Sequence, residues 1–302
     1  DASAGWLPKA HAVLAIVGLP VMMIGLTIVA MGSSAPEIVV SAIASSNGNM
    51  NTAVGNALGS NITNVALVLG ITALVKPLVV SSSTLKREFP VLLGVTVLAM
   101  FFLNNGKLAH FEGMILFGLF VFVLAAMAWI SLQVDKEDPL VKDTDSEIPE
   151  GVNTGSAVLW VGVGLVLLPL SAHFMVEAAV DIAHFFGISD LVIGLTIIAL
   201  GTSLPELAAS IAGVLKGESD LALGNVIGSN IFNLLAVLGM PGLIAPGPLD
   251  ENVYNRDMWV MFGLTVLLFF LSFNFIGKRQ LGRLEGAIFV SCFLGYQYWL
   301  FG

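Results

Sequence analysis

The chain has 302 residues, of which 57% are hydrophobic and only 11% charged, with a mean hydropathy of +0.93 and a net charge of −9. A water-soluble domain carries about a quarter charged residues, so a soluble globular protein is excluded, and no basic stripe marks a nucleic-acid partner. Cys292 is the single cysteine, which leaves neither a disulfide framework nor a cysteine metal site.

Apolar stretches of about 20 residues, the length that crosses a bilayer, run almost end to end. They are continuous rather than alternating, which points to helices and away from a barrel. In chain order the pattern predicts helices over 3–18, 20–45, 53–75, 88–104 and 112–132. A linker over 133–153 follows, with the acidic run Asp135 to Glu150, and then helices over 156–185, 189–215, 220–245, 257–275 and 284–301. The opening DASAGWLPKA has no charged region ahead of an apolar run, so no cleavable signal is read.

The two groups of five are copies. Residues 25–70 and 194–239 align without a gap at an offset of 169, with 22 of 46 positions identical. The matches fall on Gly32/Gly201, Pro36/Pro205, Glu37/Glu206, Gly59/Gly228 and Asn64/Asn233, and not on scattered aliphatics. An odd number of spans per copy makes the second copy enter the membrane from the opposite side. The expected fold is an all-α integral membrane protein of ten transmembrane helices, two inverted five-helix repeats with helices broken at the midplane. Residues 1–132 form the first repeat, 133–153 a cytoplasmic linker and 154–302 the second repeat. The lead-in Gly155–Ala172 has its counterpart largely before residue 1, and no initiator Met is present, so the first helix is expected to be truncated.

Placing the linker in the cytoplasm gathers nine Lys and Arg residues on that side against two on the other, Lys107 and Arg256. Both termini are then expected outside the cytoplasm.

Two pairs of motifs carry chemistry. Gly32-Ser33-Ser34-Ala35-Pro36-Glu37 and Gly201-Thr202-Ser203-Leu204-Pro205-Glu206 each lie near the middle of an apolar span. Gly permits a break and Pro withholds a backbone donor, so the helix is expected to be interrupted and its carbonyls released. Hydroxyls add neutral oxygens and the glutamates add charge, a set suited to Ca2+, which takes about six to eight oxygens. An acidic side chain at mid-membrane costs about 2.5–3.5 kcal/mol, so two at matched positions point to function. The pair carries −2 when ionised, which one divalent ion or monovalent ions in its place would balance. The second pair is Gly55-Asn56-Ala57-Leu58-Gly59-Ser60-Asn61-Ile62-Thr63-Asn64 and Gly224-Asn225-Val226-Ile227-Gly228-Ser229-Asn230-Ile231-Phe232-Asn233. Ser60 and Asn64 share one helix face, as do Ser229 and Asn233, and their oxygens could complete a coordination shell.

Plainer readings stand beside these. Ser34-x-x-Glu37 and Ser203-x-x-Glu206 also fit the capping box, and Gly55-x-x-x-Gly59 and Gly224-x-x-x-Gly228 fit close helix packing. His173, Glu177 and Asp181 have Ala4, Pro8 and Ala12 as counterparts, so they lack the symmetry of the glutamates. His11, His110 and His184 read as interfacial, Trp299 as an interface anchor, and Met22, Met23 and Met31 as packing.

The duplicated G-[ST]-S-x-P-E and G-N-x-x-G-S-N-I-x-N blocks resemble the repeats of the cation/Ca2+ exchanger superfamily, particularly its sodium/calcium exchangers, and most of all the bacterial inner-membrane branch. The resemblance implies a midplane site, open alternately to each side, where Ca2+ and Na+ compete for Glu37 and Glu206. It implies hydroxyl ligands at Ser33, Ser34, Thr202 and Ser203, carbonyls from Ala30 and Ala199, and further contributions from Ser60, Asn64, Ser229 and Asn233. The sequence departs from the family pattern with Ser at 33 for the usual Thr, and with Asn at 233 where many members have Asp.

The leading expectation is therefore a secondary antiporter exporting Ca2+ against inward Na+, with H+ coupling as the alternative. The partners are these ions and the lipid bilayer, with no cofactor and no nucleic acid. A passive channel would show flux without a counter-ion. An intramembrane enzyme would need a base near the motif serines, and His173 has no duplicated partner. No nucleotide-binding motif is present to support pumping by hydrolysis.

Overall fold

The computed structural model of the protein describes residues 34–80, 88–132, 185–217, 219–273 and 280–301, together with positions 163, 174, 178 and 181. The expected helix over 3–18, the start of the one over 20–45, most of 156–185 and the linker lie outside these residues, as do His11, His173, Glu177 and His184.

The first described helix, α1 (Ala35–Ser46), ends at Asn47 and turns through Gly48 with φ 81. It leads into a long rod, α2 (Met50–Val75), which contains a π-helical turn at Asn64–Val68. Strand β1 (Leu78–Val79) follows, then α3 (Phe89–Leu103), β2 (Lys107–Leu108) and α4 (His110–Leu132). The second half gives α5 (Asp190–Thr202) and α6 (Leu204–Lys216), bent by 40° at the break between them. Helix α7 (Ser219–Phe232) continues through a π-helical turn at Asn233–Val237 into Gly239–Ile244. Then come β3 (Gly247–Pro248), α8 (Val253–Phe273), β4 (Gln280–Leu281) and α9 (Arg283–Phe301).

By length and composition, three of the described helices can cross a membrane: Met50–Val75, Ala222–Ile244 and Val253–Phe273. The bent pair α5 and α6 makes a fourth, and Ala35–Ser46, Phe89–Leu103 and His110–Ala126 are shorter apolar helices. Their burial separates centre from rim. The apolar windows of the first two rods are 78% and 72% buried, whereas that of α8 is 39% buried. On the rim Phe101, Phe122, Phe270 and Leu294 face outward, apolar side chains that lipid tails can cover without cost.

Small residues let the central rods approach. A Cβ on Gly55 would lie 2.6 Å from the carbonyl oxygen of Leu191, and one on Gly59 would lie 2.7 Å from the Cα of Leu195. The α2–α5 crossing therefore depends on glycine, as expected for helices that associate by close packing in lipid. Here the packing reading of Gly55 and Gly59 is the one realised.

Positions related by the duplication recur in matched roles. The π-helical turns Asn64–Val68 and Asn233–Val237 stand at the same offset of 169, as do Gly48 and Gly217, both with positive φ after α1 and α6. Strand β1 pairs antiparallel with β4, Leu78 opposite Leu281, and β2 pairs antiparallel with β3, Leu108 opposite Gly247. These short ladders were absent from the sequence expectation, because two-residue strands leave no periodicity to read. The structure also extends the duplication into α4 and α9. There Leu108, Glu112 and Gly113 match Leu281, Glu285 and Gly286 at an offset of 173. Glu112 accepts from the backbone N–H of Ala109 at 2.6 Å, and Glu285 from that of Gly282 at 2.9 Å. Each closes the first turn of its helix.

Candidate functional site

The centre of the molecule is polar. Ser34, Glu37, Ser60, Asn64, Thr202, Ser203, Glu206, Ser229 and Asn233 are all buried, with Glu37 and Glu206 at 0% exposure. Every sequence-predicted site residue within the described region is in this group except Ala199, a buried backbone candidate. Ala30 and Ser33 lie outside the described residues.

Both glutamates stand one residue after the proline that opens their helix, Glu37 in α1 and Glu206 in α6. The expected interruption is found between Thr202 and Leu204. The capping-box alternative is not: neither Ser34 nor Ser203 makes a side-chain cap. Instead the Ser34 hydroxyl donates across the halves to Glu206 Oε1 at 3.3 Å, and Ser229 donates to the same oxygen at 3.4 Å. Ser203 Oγ has no hydrogen-bond partner.

A second chain of contacts starts from α2. Asn56 donates its Nδ2 to the backbone carbonyl of Glu37 at 3.2 Å, and its Oδ1 accepts from the Thr202 hydroxyl at 3.4 Å and the Ser60 hydroxyl at 3.5 Å. Ser60 and Thr202 are themselves 3.4 Å apart. One amide thus ties the Glu37 motif to the Thr202 motif. The expected free carbonyl of Ala199 is engaged. It accepts from the backbone N–H of Ser203 at 3.1 Å and shares with Asn56 Oδ1 the single proton of the Thr202 hydroxyl, 3.3 Å away.

The oxygen inventory is unusual for a buried centre. Both carboxylate oxygens of Glu37, the Oδ1 of Asn64 and both amide atoms of Asn233 have no hydrogen-bond partner, while the Glu206 carboxylate is near enough to act electrostatically on Glu37. Buried polar atoms in folded proteins are overwhelmingly paired, and leaving an ionised carboxylate unpaired costs several kcal/mol. A carboxylate so placed is relieved either by a proton or by a cation. Among the described residues there is no group of three or more His, Cys, Asp and Glu side chains that could hold a metal; Glu37 and Glu206 are the acidic side chains of this centre, and the polar groups around them are neutral.

The sequence reading passed over Asn56, Asn61 and Asn230. All three are buried and duplicated, the signal that singled out the glutamates. It also passed over a buried cluster away from the centre, where Asp257 accepts from Arg256 Nε at 2.7 Å and from the Tyr296 hydroxyl at 2.8 Å. Arg256 and Asp257 match Arg87 and Glu88 at the offset of 169, a correspondence outside the most similar block.

Comparison with known proteins bears on this centre. The family described as sodium/calcium exchanger protein matches residues 2–129 and 156–302. CaxA of Alkalimonas amylolytica is 54% identical over 93% of this chain and 88% of its own length. The inner membrane protein YrbG of Escherichia coli K12 is 42% identical over 94% of this chain and 88% of its own. A solved structure of the sodium-calcium exchanger NCX_Mj, soaked with 10 mM Na+ and no Ca2+, superposes with a TM-score of 0.69. That match has 28% identity and covers 96% of this chain and 90% of that one.

Proposed function

The chain belongs to the sodium/calcium exchanger family of membrane antiporters, and we propose that it exchanges Ca2+ for Na+ by alternating access at the buried centre between Glu37 and Glu206. The observation that carries this reading is Glu37 itself, fully buried with neither carboxylate oxygen hydrogen-bonded. The unengaged oxygens of Asn64, Asn233 and Ser203 lie in the same motifs. With the glutamates they offer the hard oxygen donors that Ca2+ takes.

In this reading Glu37 and Glu206 carry the charge, and Ser33, Ser34, Thr202, Ser203, Ser60, Ser229, Asn64, Asn233 and the carbonyls of Ala30 and Ala199 are the neutral donors. Coupling follows from charge balance. One Ca2+ or monovalent cations can neutralise the pair, but not both together, so release of one ion type to one side admits the other. The frame would be ten helices in two inverted repeats, residues 1–132 and 154–302, joined by a cytoplasmic linker at 133–153, with both termini outside. The matched π-helical turns, strand pairs and helix caps favour such a frame, and the Lys/Arg bias favours its orientation. The name of YrbG favours the bacterial inner membrane.

The test is uptake of radiolabelled Ca2+ into proteoliposomes under an imposed Na+ gradient, repeated with a pH gradient in its place. Uptake driven by Na+ and lost in Glu206→Gln supports the reading. Uptake that follows only the pH gradient assigns H+ as the coupling ion instead, and flux that needs no counter-ion, or survives Glu206→Gln, ends the antiport reading at this site.

A further inference from the structure

Where α2 and α7 cross, Asn61 and Asn230, related by the offset of 169, bond to each other reciprocally. Asn61 Nδ2 donates to the carbonyl of Asn230 at 3.3 Å and Asn230 Nδ2 to the carbonyl of Asn61 at 3.4 Å. Both residues are 1% exposed. With its NH2 group turned to the Asn61 carbonyl, Asn230 shows its Oδ1 to Asn64, and that oxygen accepts from Asn64 Nδ2 at 3.1 Å.

Resting on the cation-site reading above, we propose that Asn230 is a positioning residue, which holds Asn64 by its NH2 group so that the amide oxygen alone is presented to the cation. An amide has one acceptor face and one donor face, and a donor face turned to a cation repels it. Fixing Asn64 Nδ2 on Asn230 leaves Asn64 Oδ1 without a hydrogen-bond partner, available to a cation. The clasp between Asn61 and Asn230 in turn fixes which face Asn230 shows to Asn64. In the other half the corresponding contact is not made. Asn61 Oδ1 and both amide atoms of Asn233 have no partner, so orientation of the ligand amide is a property of the hydrogen bond and not of the helix alone.

The experiment measures half-saturating Ca2+ by thermal shift of the purified full chain and by uptake in proteoliposomes. Asn230→Ala should raise half-saturation roughly three- to tenfold, the worth of one hydrogen bond between membrane helices, while maximal uptake stays within about twofold. The double variant Asn230→Ala with Asn64→Ala should be no weaker than Asn64→Ala alone, because Asn230 acts only through Asn64. An unchanged half-saturation in Asn230→Ala, or losses that multiply in the double variant, overturns the proposal. A purely structural role would lower the melting temperature and give multiplying losses. If Asn230→Ala does not fold, Asn230→Asp carries the test. It gives up the clasp but keeps an acceptor for Asn64, so its Ca2+ half-saturation must not rise. Glu37→Gln separates the two readings. Ca2+ response lost there but unaltered in Asn230→Ala overturns the positioning role alone, and Ca2+ response retained in Glu37→Gln overturns the site itself.

Discussion

The two halves of the duplicated sequence agree at the rim and disagree at the centre. Away from the centre, Glu112 and Glu285 make the same helix-start contact, and the buried Thr96 and Thr265 of α3 and α8 donate to the carbonyl four residues back at 2.7 and 2.9 Å. The crossings also agree: a Cβ on Gly70 would lie 3.1 Å from the carbonyl oxygen of Gly286, and one on Gly239 would lie 3.5 Å from that of Gly113. At the centre, Asn56 makes three hydrogen bonds and its counterpart Asn225 makes none. Ser41 donates to the carbonyl of Val237 at 2.7 Å, whereas Ser210 Oγ has no partner. Caps and close crossings have one good geometry, so both copies keep it. A web of neutral amides and hydroxyls has more than one good arrangement, so the copies can differ there.

The largest effect should come from making the centre symmetric in its loss. Glu37→Gln and Glu206→Gln are each expected to reduce gradient-driven Ca2+ uptake by about 100-fold or more, since removing either charge from the proposed −2 site forfeits several kcal/mol of ion attraction. Equal losses in the transport assay would show that the unequal hydrogen bonding of the two glutamates reflects one conformation. A variant that kept more than about a tenth of wild-type uptake would mean that only one half binds the ion.

The Arg256–Asp257–Tyr296 cluster is the next point of contrast. Asp257 is fully buried and held by Arg256 at both carboxylate oxygens, at 2.7 and 3.3 Å, and Tyr296 binds α9 to α8 through the same carboxylate. In the first half Arg87 and Glu88 stand at the matching positions, but the residue matching Tyr296 at the α9 offset is Val123. Asp257→Asn should cost about 3 kcal/mol of stability, because it leaves a partly buried guanidinium without its counter-charge, and should leave half-saturating Ca2+ unchanged. Tyr296→Phe, which removes one hydrogen bond and leaves the ion pair, should cost less. Melting temperatures in detergent, with Ca2+ titration of each variant, read both; an equal cost at the two positions would mean that the ion pair adds nothing to the hydroxyl contact.

The α2–α5 crossing tests the glycines. A Cβ on Gly55 would press on the carbonyl of Leu191, and in a tightly packed crossing the rods must part to admit it. Gly55→Ala should therefore cost about 1–3 kcal/mol, whereas Gly94→Ala, with open space around it, should be neutral or slightly stabilising. Comparable melting temperatures for the two variants would remove the close-packing account of the rod.

Much of this was legible in the sequence, for identifiable reasons. Glu37 and Glu206 stood out because charge in an apolar rod is costly, and the duplication made them a pair. The break after Thr202 followed from Gly201 and Pro205. The expected helix over 53–75 was found as Met50–Val75, its start extended by the polar residues Asn51 and Thr52, which hydropathy alone does not count as helix. What escaped had no local signature. The role of Asn56 depends on a carbonyl 19 residues away and on a threonine in the other half. The β1–β4 and β2–β3 pairs join segments far apart in the chain. The copy of α4 in α9 was hidden because the offset grows from 169 to 173 between the two matching blocks.

That shifted copy yields the smallest expected effect and a sensitive check on how far the halves agree. Glu112 and Glu285 each accept from a backbone N–H that would otherwise be an orphan of the first helical turn, and each places a negative charge at the positive end of its helix. Both contributions are local, so neither depends on the arrangement of the centre. Glu112→Ala and Glu285→Ala should each cost about 0.5–1 kcal/mol, equally, and together the sum of the two, because the sites are independent. Thermal unfolding with and without Ca2+ checks this. If the two costs differ, or if Ca2+ changes their ratio, then the rim takes part in the conformational change and the division between a constant frame and a variable centre fails.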